Sequence, residues 1–212
     1  MIQNIATFPI EQKLFYLESS EHLYGPAAFL TQYTMLELPF EIVAATLFSL
    51  LVAYASQLGP TATEFGVCLL SAIYVLNSGE SLSMIACTIS PNVGVAVNLT
   101  SVLLAVFTIL GGTMSLDPPR PLQWLNYLSP IKHAIASVSY FCLHGLILDC
   151  TDDQPVKGDA CPMQRGEDIL ELYRLNTEKQ WWGLLEGFLV MLGYRLLAYV
   201  ILKTKTRITS ST

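Results

Sequence analysis

From Ile42 to Leu116 the sequence is almost without charge, Glu64 and Glu80 being the only ionic side chains. A water-soluble domain cannot run that far without ionic groups, because each of its helices needs one polar face. Charged residues make up only 13% of the 212 positions, against roughly a quarter in soluble domains. Hydrophobic residues reach 52% and the mean hydropathy is +0.48, so lipid is the main solvent. The chain also lacks a basic balance: its net charge of −6 leaves no footprint for nucleic acid. No G-x-x-x-x-G-K-[ST] occurs, so there is no nucleotide-binding loop. No H-E-x-x-H, G-x-S-x-G or metal-like Cys/His spacing occurs, and His22, His133 and His144 sit in unrelated segments. Neither a catalytic constellation nor a metal site is expected, and the chain is not read as an enzyme. Met1 to Leu14 lacks a basic start followed by an apolar run and a cleavage site, so insertion is expected to rely on the spans themselves.

What is present is apolar length. Hydrocarbon about 30 Å thick needs roughly 20 helical residues, and four windows supply them: Ala27 to Leu58, Phe65 to Ile89, Val93 to Met114 and Trp181 to Leu202. Pro39 lies inside the first and predicts a kink near Met35 to Pro39. Gly59-Pro60 and Ser90-Pro91-Asn92 bound the second as turns. Trp181 and Trp182 suit a headgroup interface, and Lys203, Lys205 and Arg207 follow the last span, which predicts a cytoplasmic C-terminus. Four crossings return the N-terminus to the same side. The connection between the third and fourth spans then falls outside, where Asp149 to Asp168 holds six acidic residues against Lys157 and Arg165.

Cys150 and Cys161 bracket a short polar loop on that oxidising side, so a disulfide between them is expected, with two unpaired thiols as the alternative. The segment Arg120 to Leu148 is broken by Pro130 and carries Lys132 and His133 at its centre. Two short helices that dip into the outer leaflet and return fit it, provided protein covers the break at Ser129-Pro130. A fifth crossing is the alternative. It would strand Lys132 and His133 in lipid.

Polar residues inside the spans are few and patterned. On the third span Asn98, Ser101, Ala105, Thr108 and Gly112 recur at steps of three and four and share one face. Such a face is either the wall of a substrate cavity or a helix-packing seam. The second span carries a comparable stripe, Asn77, Glu80, Ser81, Met84 and Thr88. A charged group near mid-membrane costs about 2.5 to 3.5 kcal/mol, so Glu80 is expected to face protein or water. Glu186 and Arg195, nine residues apart on the last span, lie on opposite faces and cannot pair with each other. Each needs a partner on another helix or a route to water, as do Glu37 and Glu41 beside Pro39. Gly183-Leu-Leu-Glu-Gly187 spells G-x-x-x-G, a close-packing signal.

Taken in order, Phe8-Pro-Ile-Glu-Gln-Lys-Leu-Phe-Tyr-Leu-Glu18, Leu23-Tyr-Gly25 and Leu36-Glu-Leu-Pro39 form one group of motifs. Leu122-Gln-Trp-Leu-Asn-Tyr-Leu-Ser-Pro130, Cys161 with Gly166-Glu-Asp-Ile-Leu170, Trp181-Trp182 and Tyr194-Arg-Leu-Leu-Ala-Tyr199 follow. This order resembles the C-terminal part of the transmembrane domain of the White/ABCG family of ATP-binding-cassette exporters, of the ABC-2 type. The resemblance implies an all-α membrane protein with four transmembrane helices, extracellular re-entrant helices and a disulfide loop. It implies these parts: 1–26 a cytoplasmic coupling segment, 27–116 three spans, 117–180 the extracellular helices and loop, 181–203 the last span, 204–212 a cytoplasmic tail.

By the same likeness, Glu11, Lys13 and Glu18 belong to the coupling segment that touches a nucleotide-binding domain. Ser101, Ala105 and Thr108 face the substrate cavity, and Thr113 and Met114 sit at a plug above it. Asn77, Glu80 and Arg195 are the intramembrane polar residues. No cofactor is expected on this chain, and ATP would be hydrolysed by a partner or missing domain. The implied partners are an ABCG-type half-transporter, as homo- or heterodimer, the bilayer, and a small amphipathic or lipid-like substrate moved outward, with the plasma membrane as location and no nucleic acid. The rival expectation is a non-transporting subunit or truncated product that binds and regulates a full-length half-transporter.

Overall fold

The computed structural model describes residues 2–21, 23–56, 61–90, 92–113, 125–146, 165–172 and 181–210. Seven α-helices make up most of these: α1 (Ile2–Ser20), α2 (Pro26–Ser56), α3 (Ala62–Ile89), α4 (Val93–Thr108), α5 (Pro130–Leu143), α6 (Gly166–Leu172) and α7 (Trp182–Ser210). The last turn of α4 continues as a π-helical segment, Ile109–Thr113. Four helices, α2, α3, α4 and α7, are long and apolar enough to cross a membrane, as expected from the four windows. The last helix runs on past Lys203 to Ser210. Helix α2 continues through Pro39.

Local chemistry sets the helix ends. Thr61 and Glu64 form a reciprocal capping box, with Thr61 N–H donating to Glu64 Oε2 (3.1 Å) and Glu64 N–H to Thr61 Oγ1 (3.4 Å). This satisfies two of the amides left open at a helix start. At Ser129, the Oγ accepts from Lys132 N–H (3.4 Å) and donates to the Phe107 carbonyl (3.3 Å). Pro130, with no N–H to leave open, then begins α5.

One cluster gathers Phe8 and Phe15 of α1, Phe29, Leu30 and Tyr33 early in α2, Met84, Ala86 and Cys87 late in α3, Ala96 early in α4 and Leu202 late in α7. The four spans therefore alternate in direction, and both termini lie at the end that α1 closes. A second cluster at the opposite end joins Val67 and Tyr74 of α3 to Leu184 of α7, with Phe141 of α5 against it. The α3 helix is the hub. Half of its most apolar window is buried, against 17 to 22% in the other three spans, whose Phe40, Leu47, Leu51, Val102, Leu189 and Leu196 stay exposed. Apolar surface of this kind is tolerated in lipid, which is as apolar as it is.

Helix α5 is no fifth crossing. Its 14 residues reach roughly 21 Å, short of the 30 Å or so of hydrocarbon. Ile131 at its start packs with Leu82, Phe107 and Tyr194, well inside the bundle, while Phe141 near its end meets Trp181 at 5.3 Å between ring centroids. It thus runs from the middle of the bundle to the end marked by Trp181. Gly166 N–H donates to the Leu146 carbonyl (2.9 Å), and a Cβ on Gly166 would lie 2.0 Å from the Leu143 carbonyl oxygen. Only glycine allows α6 to start so close to the end of α5.

Candidate functional site: a clamped bundle with one open polar face

The polar residues fall in three places. The first is the α1 end. Phe8, Gln12 and Phe15 recur at steps of four and three and form the buried face of α1. Phe15 stacks on Phe29 with centroids 4.6 Å apart, and Phe8 meets Tyr33 edge-on at 5.6 Å. Between the rings Gln12 Nε2 donates to Thr88 Oγ1 (3.1 Å) and Tyr16 Oη (3.0 Å). The Thr88 hydroxyl in turn donates to the Met84 carbonyl (2.7 Å), and the Lys205 ammonium donates to the Thr88 carbonyl. A cation on the last carbonyls of α3 satisfies a group the helix leaves open and complements its dipole. Helices α1, α3 and α7 are thus tied at one residue.

The coupling-segment residues of the sequence reading lie on the outer sides of α1. Glu11 and Lys13 are exposed. Glu18 accepts a hydrogen bond from Tyr24 Oη, which pushes the Tyr24 phenol up to about 12, with burial and the Glu18 charge adding to the rise. Partial burial, then the nearby Glu37 carboxylate, raises Glu11 above the usual carboxylate range.

The second place is mid-bundle. Arg195 enters from α7 toward α3. Its Nη1 donates to Ser81 Oγ (3.3 Å) and approaches Met84 Sδ (3.7 Å), its Nη2 lies 3.7 Å from Glu80 Oε2, and Nη2 also donates to Thr34 Oγ1 of α2. One helical turn away Asn77 Nδ2 donates to Glu41 Oε2 (3.1 Å). The hydroxyls here serve twice. Ser81 donates to the Asn77 carbonyl (2.9 Å) and Thr34 to the Leu30 carbonyl (2.7 Å), which leaves a lone pair on each oxygen for the guanidinium. Asn77, Glu80 and Arg195 therefore belong to one buried layer joining α2, α3 and α7. Glu186, nine residues before Arg195, pairs instead with His133 Nδ1 of α5 at 3.2 Å, and His133 Nε2 lies 3.0 Å from the Tyr127 carbonyl. Tyr194 Oη donates to the Leu128 carbonyl (3.0 Å), so protein does cover the break before Pro130.

The third place is α4. Its buried side is Ala96, Thr100 and Phe107, while Ser101, Ala105 and Thr108 are all exposed. Small residues that pack α4 against its own neighbours are thus a different set from the stripe, which this chain leaves uncovered. Thr108 Oγ1 donates to the Leu104 carbonyl (2.8 Å), so its hydroxyl stays close to the helix. Thr113 closes the π-helical segment. Met114, Cys150 and Cys161 lie outside the described residues. The G-x-x-x-G of α7 is a packing seam: a Cβ on Gly183 would meet Ser137 Oγ at 2.6 Å, and one on Gly187 the Tyr74 ring at 2.6 Å. Among the described residues no three His, Cys, Asp or Glu side chains come close enough to share a metal ion.

Sequence reasoning missed Gln12 and Thr34, and it named Glu41 without the Asn77 that bonds it. The 8, 12, 15 spacing on α1 was the available signal for the first, and the others depend on which helices meet. An antiparallel set of spans, tied by a terminal helix and a buried polar layer, defines a multi-pass helical membrane domain. The chain belongs to the ABC-2 type transporter family, whose pattern matches residues 1–142. It is 34% identical over 97% of its length to a Saccharomyces cerevisiae protein described as an uncharacterized ABC transporter ATP-binding protein/permease, covering 16% of that protein. It is 27% identical to ABC transporter G family member 14 of Arabidopsis thaliana over 93% of this chain and 30% of that one. The same identity holds to member 21 of that plant, over 94% and 29%. The chain thus spans from 16 to 30% of the length of these relatives.

Proposed function

We propose that the chain forms part of the transmembrane domain of an ABCG-type exporter that moves lipid-like or amphipathic molecules across a membrane, with ATP hydrolysed by a domain outside these residues. The observation that carries this reading is the uncovered stripe Ser101, Ala105 and Thr108 on a span whose other side is packed. A small, weakly polar face without charges suits contact with a second half-transporter, homologous or identical, around a cavity that holds cargo by shape and apolar area. The yeast relative, described as an ATP-binding protein and permease, supports an ATP-hydrolysing domain in the whole assembly.

In this reading α1 is the cytoplasmic coupling segment. Its exposed side, with Ile10, Lys13 and Leu17, receives the push of a nucleotide-binding domain, and its buried side passes that push on through Gln12 and Thr88 to α3 and through Lys205 to α7. Thr113 and Met114 form the plug, α5 and α6 are the extracellular re-entrant helices, a Cys150–Cys161 disulfide closes the outer loop, and the plasma membrane is the location. The π-helical turn that ends at Thr113 supports a gate there, since such turns loosen the ladder of a helix where movement is needed.

Co-expression with a complete ABCG-type half-transporter, pull-down and efflux assays in inside-out vesicles test the proposal. The expected result is association and added ATP-dependent efflux, both reduced by Ser101→Trp. Association with no added efflux would instead make the chain a regulator of its partner.

A further inference from the structure

Beside the buried face of α1 runs a groove of ≈ 380 Å³ between α1 and the first turns of α2, lined by Glu11, Leu14, Glu18, Tyr24, Phe29, Gln32, Tyr33 and Leu36. We propose that it binds the ammonium headgroup of a membrane phospholipid, the ammonium resting between Glu11 and Glu18 and the acyl chains lying along α2.

Depth is the first argument. Gln12, next to Glu11, is bonded to Thr88, whose carbonyl accepts from Lys205. The groove is therefore level with the basic cluster that ends the last span, where headgroups sit. Charge is the second. Glu11 and Glu18 line the walls, Glu37 is close enough to act on Glu11, and none of the lining residues is basic. This selects a cation over an anion. The lining rings of Phe29, Tyr33 and Tyr24 add faces that attract an ammonium. Tyr33 is only 5% exposed, so its ring is a buried part of the floor.

Continuity is the third. Leu36 on the rim leads to Phe40, Val43 and Leu47, all exposed along α2, so a lipid tail leaving the groove stays on apolar surface. A water-soluble amine has no use for that track. Leu14 on its wall borders the stripe that carries Ile10 and Leu17, but the headgroup preference does not depend on the transport reading.

The test is native mass spectrometry of the full chain in detergent, offered equal phosphatidylethanolamine and phosphatidylglycerol. Phosphatidylethanolamine should be retained about tenfold over phosphatidylglycerol, a difference of about 1.4 kcal/mol, and free ethanolamine at the same concentration should not displace it. Glu11→Gln, which leaves the Tyr24 to Glu18 bond in place, and Leu14→Trp, which fills the groove from an exposed position, should each bring the two lipids near parity. Parity in the unaltered chain, unchanged preference in both variants, or displacement by free ethanolamine would each overturn the proposal.

Discussion

Arg195 of the last span and Glu80 of the second face each other across the bundle, Nη2 and Oε2 3.7 Å apart, with the Glu80 side chain 3% exposed. Removing one partner strands the other charge in a low-dielectric interior, and such losses run to about 3 to 5 kcal/mol. Arg195→Leu is therefore expected to lower the unfolding midpoint in detergent strongly, whereas the double change Glu80→Leu with Arg195→Leu should recover much of that loss. A double variant no more stable than the single one would mean that the guanidinium matters for Ser81 and Thr34 and not for the carboxylate.

Gly187 and Gly193 offer a paired steric experiment on one helix. Gly187→Ala puts a methyl group 2.6 Å from the Tyr74 ring, while nothing lies within 4 Å of the same position at Gly193. The first should cost about 1 to 3 kcal/mol by overpacking, and the second should be neutral or stabilising because alanine favours helix. Thermal melts of the two variants side by side decide it.

Phe15 is fully buried and stacked on Phe29, so Phe15→Ala should cost about 3 to 5 kcal/mol. The loss should be local first. Limited proteolysis should cut α1 in this variant under conditions that leave α3 and α7 intact, and protection equal to the unaltered chain would show that Phe8 and Gln12 hold α1 without Phe15.

Glu11 gives a pH dependence of definite sign. Its carboxyl is raised in the folded chain, by burial first and Glu37 second, so the unfolded chain loses this proton at lower pH than the folded one. Stability from this group is complete below the ordinary carboxylate range and declines as pH rises through the folded value. Glu11→Gln should therefore raise the melting midpoint at pH 7 and leave it unchanged near pH 4, in detergent without added phospholipid. A midpoint that rises equally at both values would point to packing and not titration.

Ser101 and Thr108 are exposed on α4, so replacing each with leucine should shift stability by no more than about 0.5 kcal/mol. Transport with a partner half should fall all the same. Unchanged efflux would remove the stripe from the cavity wall.

The lipid-crossing segments were legible because the bilayer imposes length and apolarity, which are one-dimensional properties of sequence: Ala27 to Leu58 became Pro26–Ser56 and Phe65 to Ile89 became Ala62–Ile89. The nine-residue spacing also showed correctly that Glu186 and Arg195 cannot pair. It could not show that His133 would take the one and Glu80 the other, since those choices follow from the order of helices around α3. On α4 the periodicity isolated the small face from the bulky one, but one chain alone does not supply what covers it. The long link between the third and fourth spans is where patterning gives out, because alternating polar and apolar pieces fit both a dip and a crossing. Among the described residues the 14-residue α5 is not one of the helices long enough to cross.

In α3 the buried hydroxyls of Ser78, Ser81, Ser83 and Thr88 all donate to carbonyls four residues back in their own helix. None of these groups needs a neighbour to become tolerable in hydrocarbon. Glu80 is different, because its cationic counterpart belongs to α7, which is synthesised well after α3. During biogenesis the carboxylate therefore meets the guanidinium only once α7 has emerged, which makes the docking of these two helices a late step in assembling the bundle.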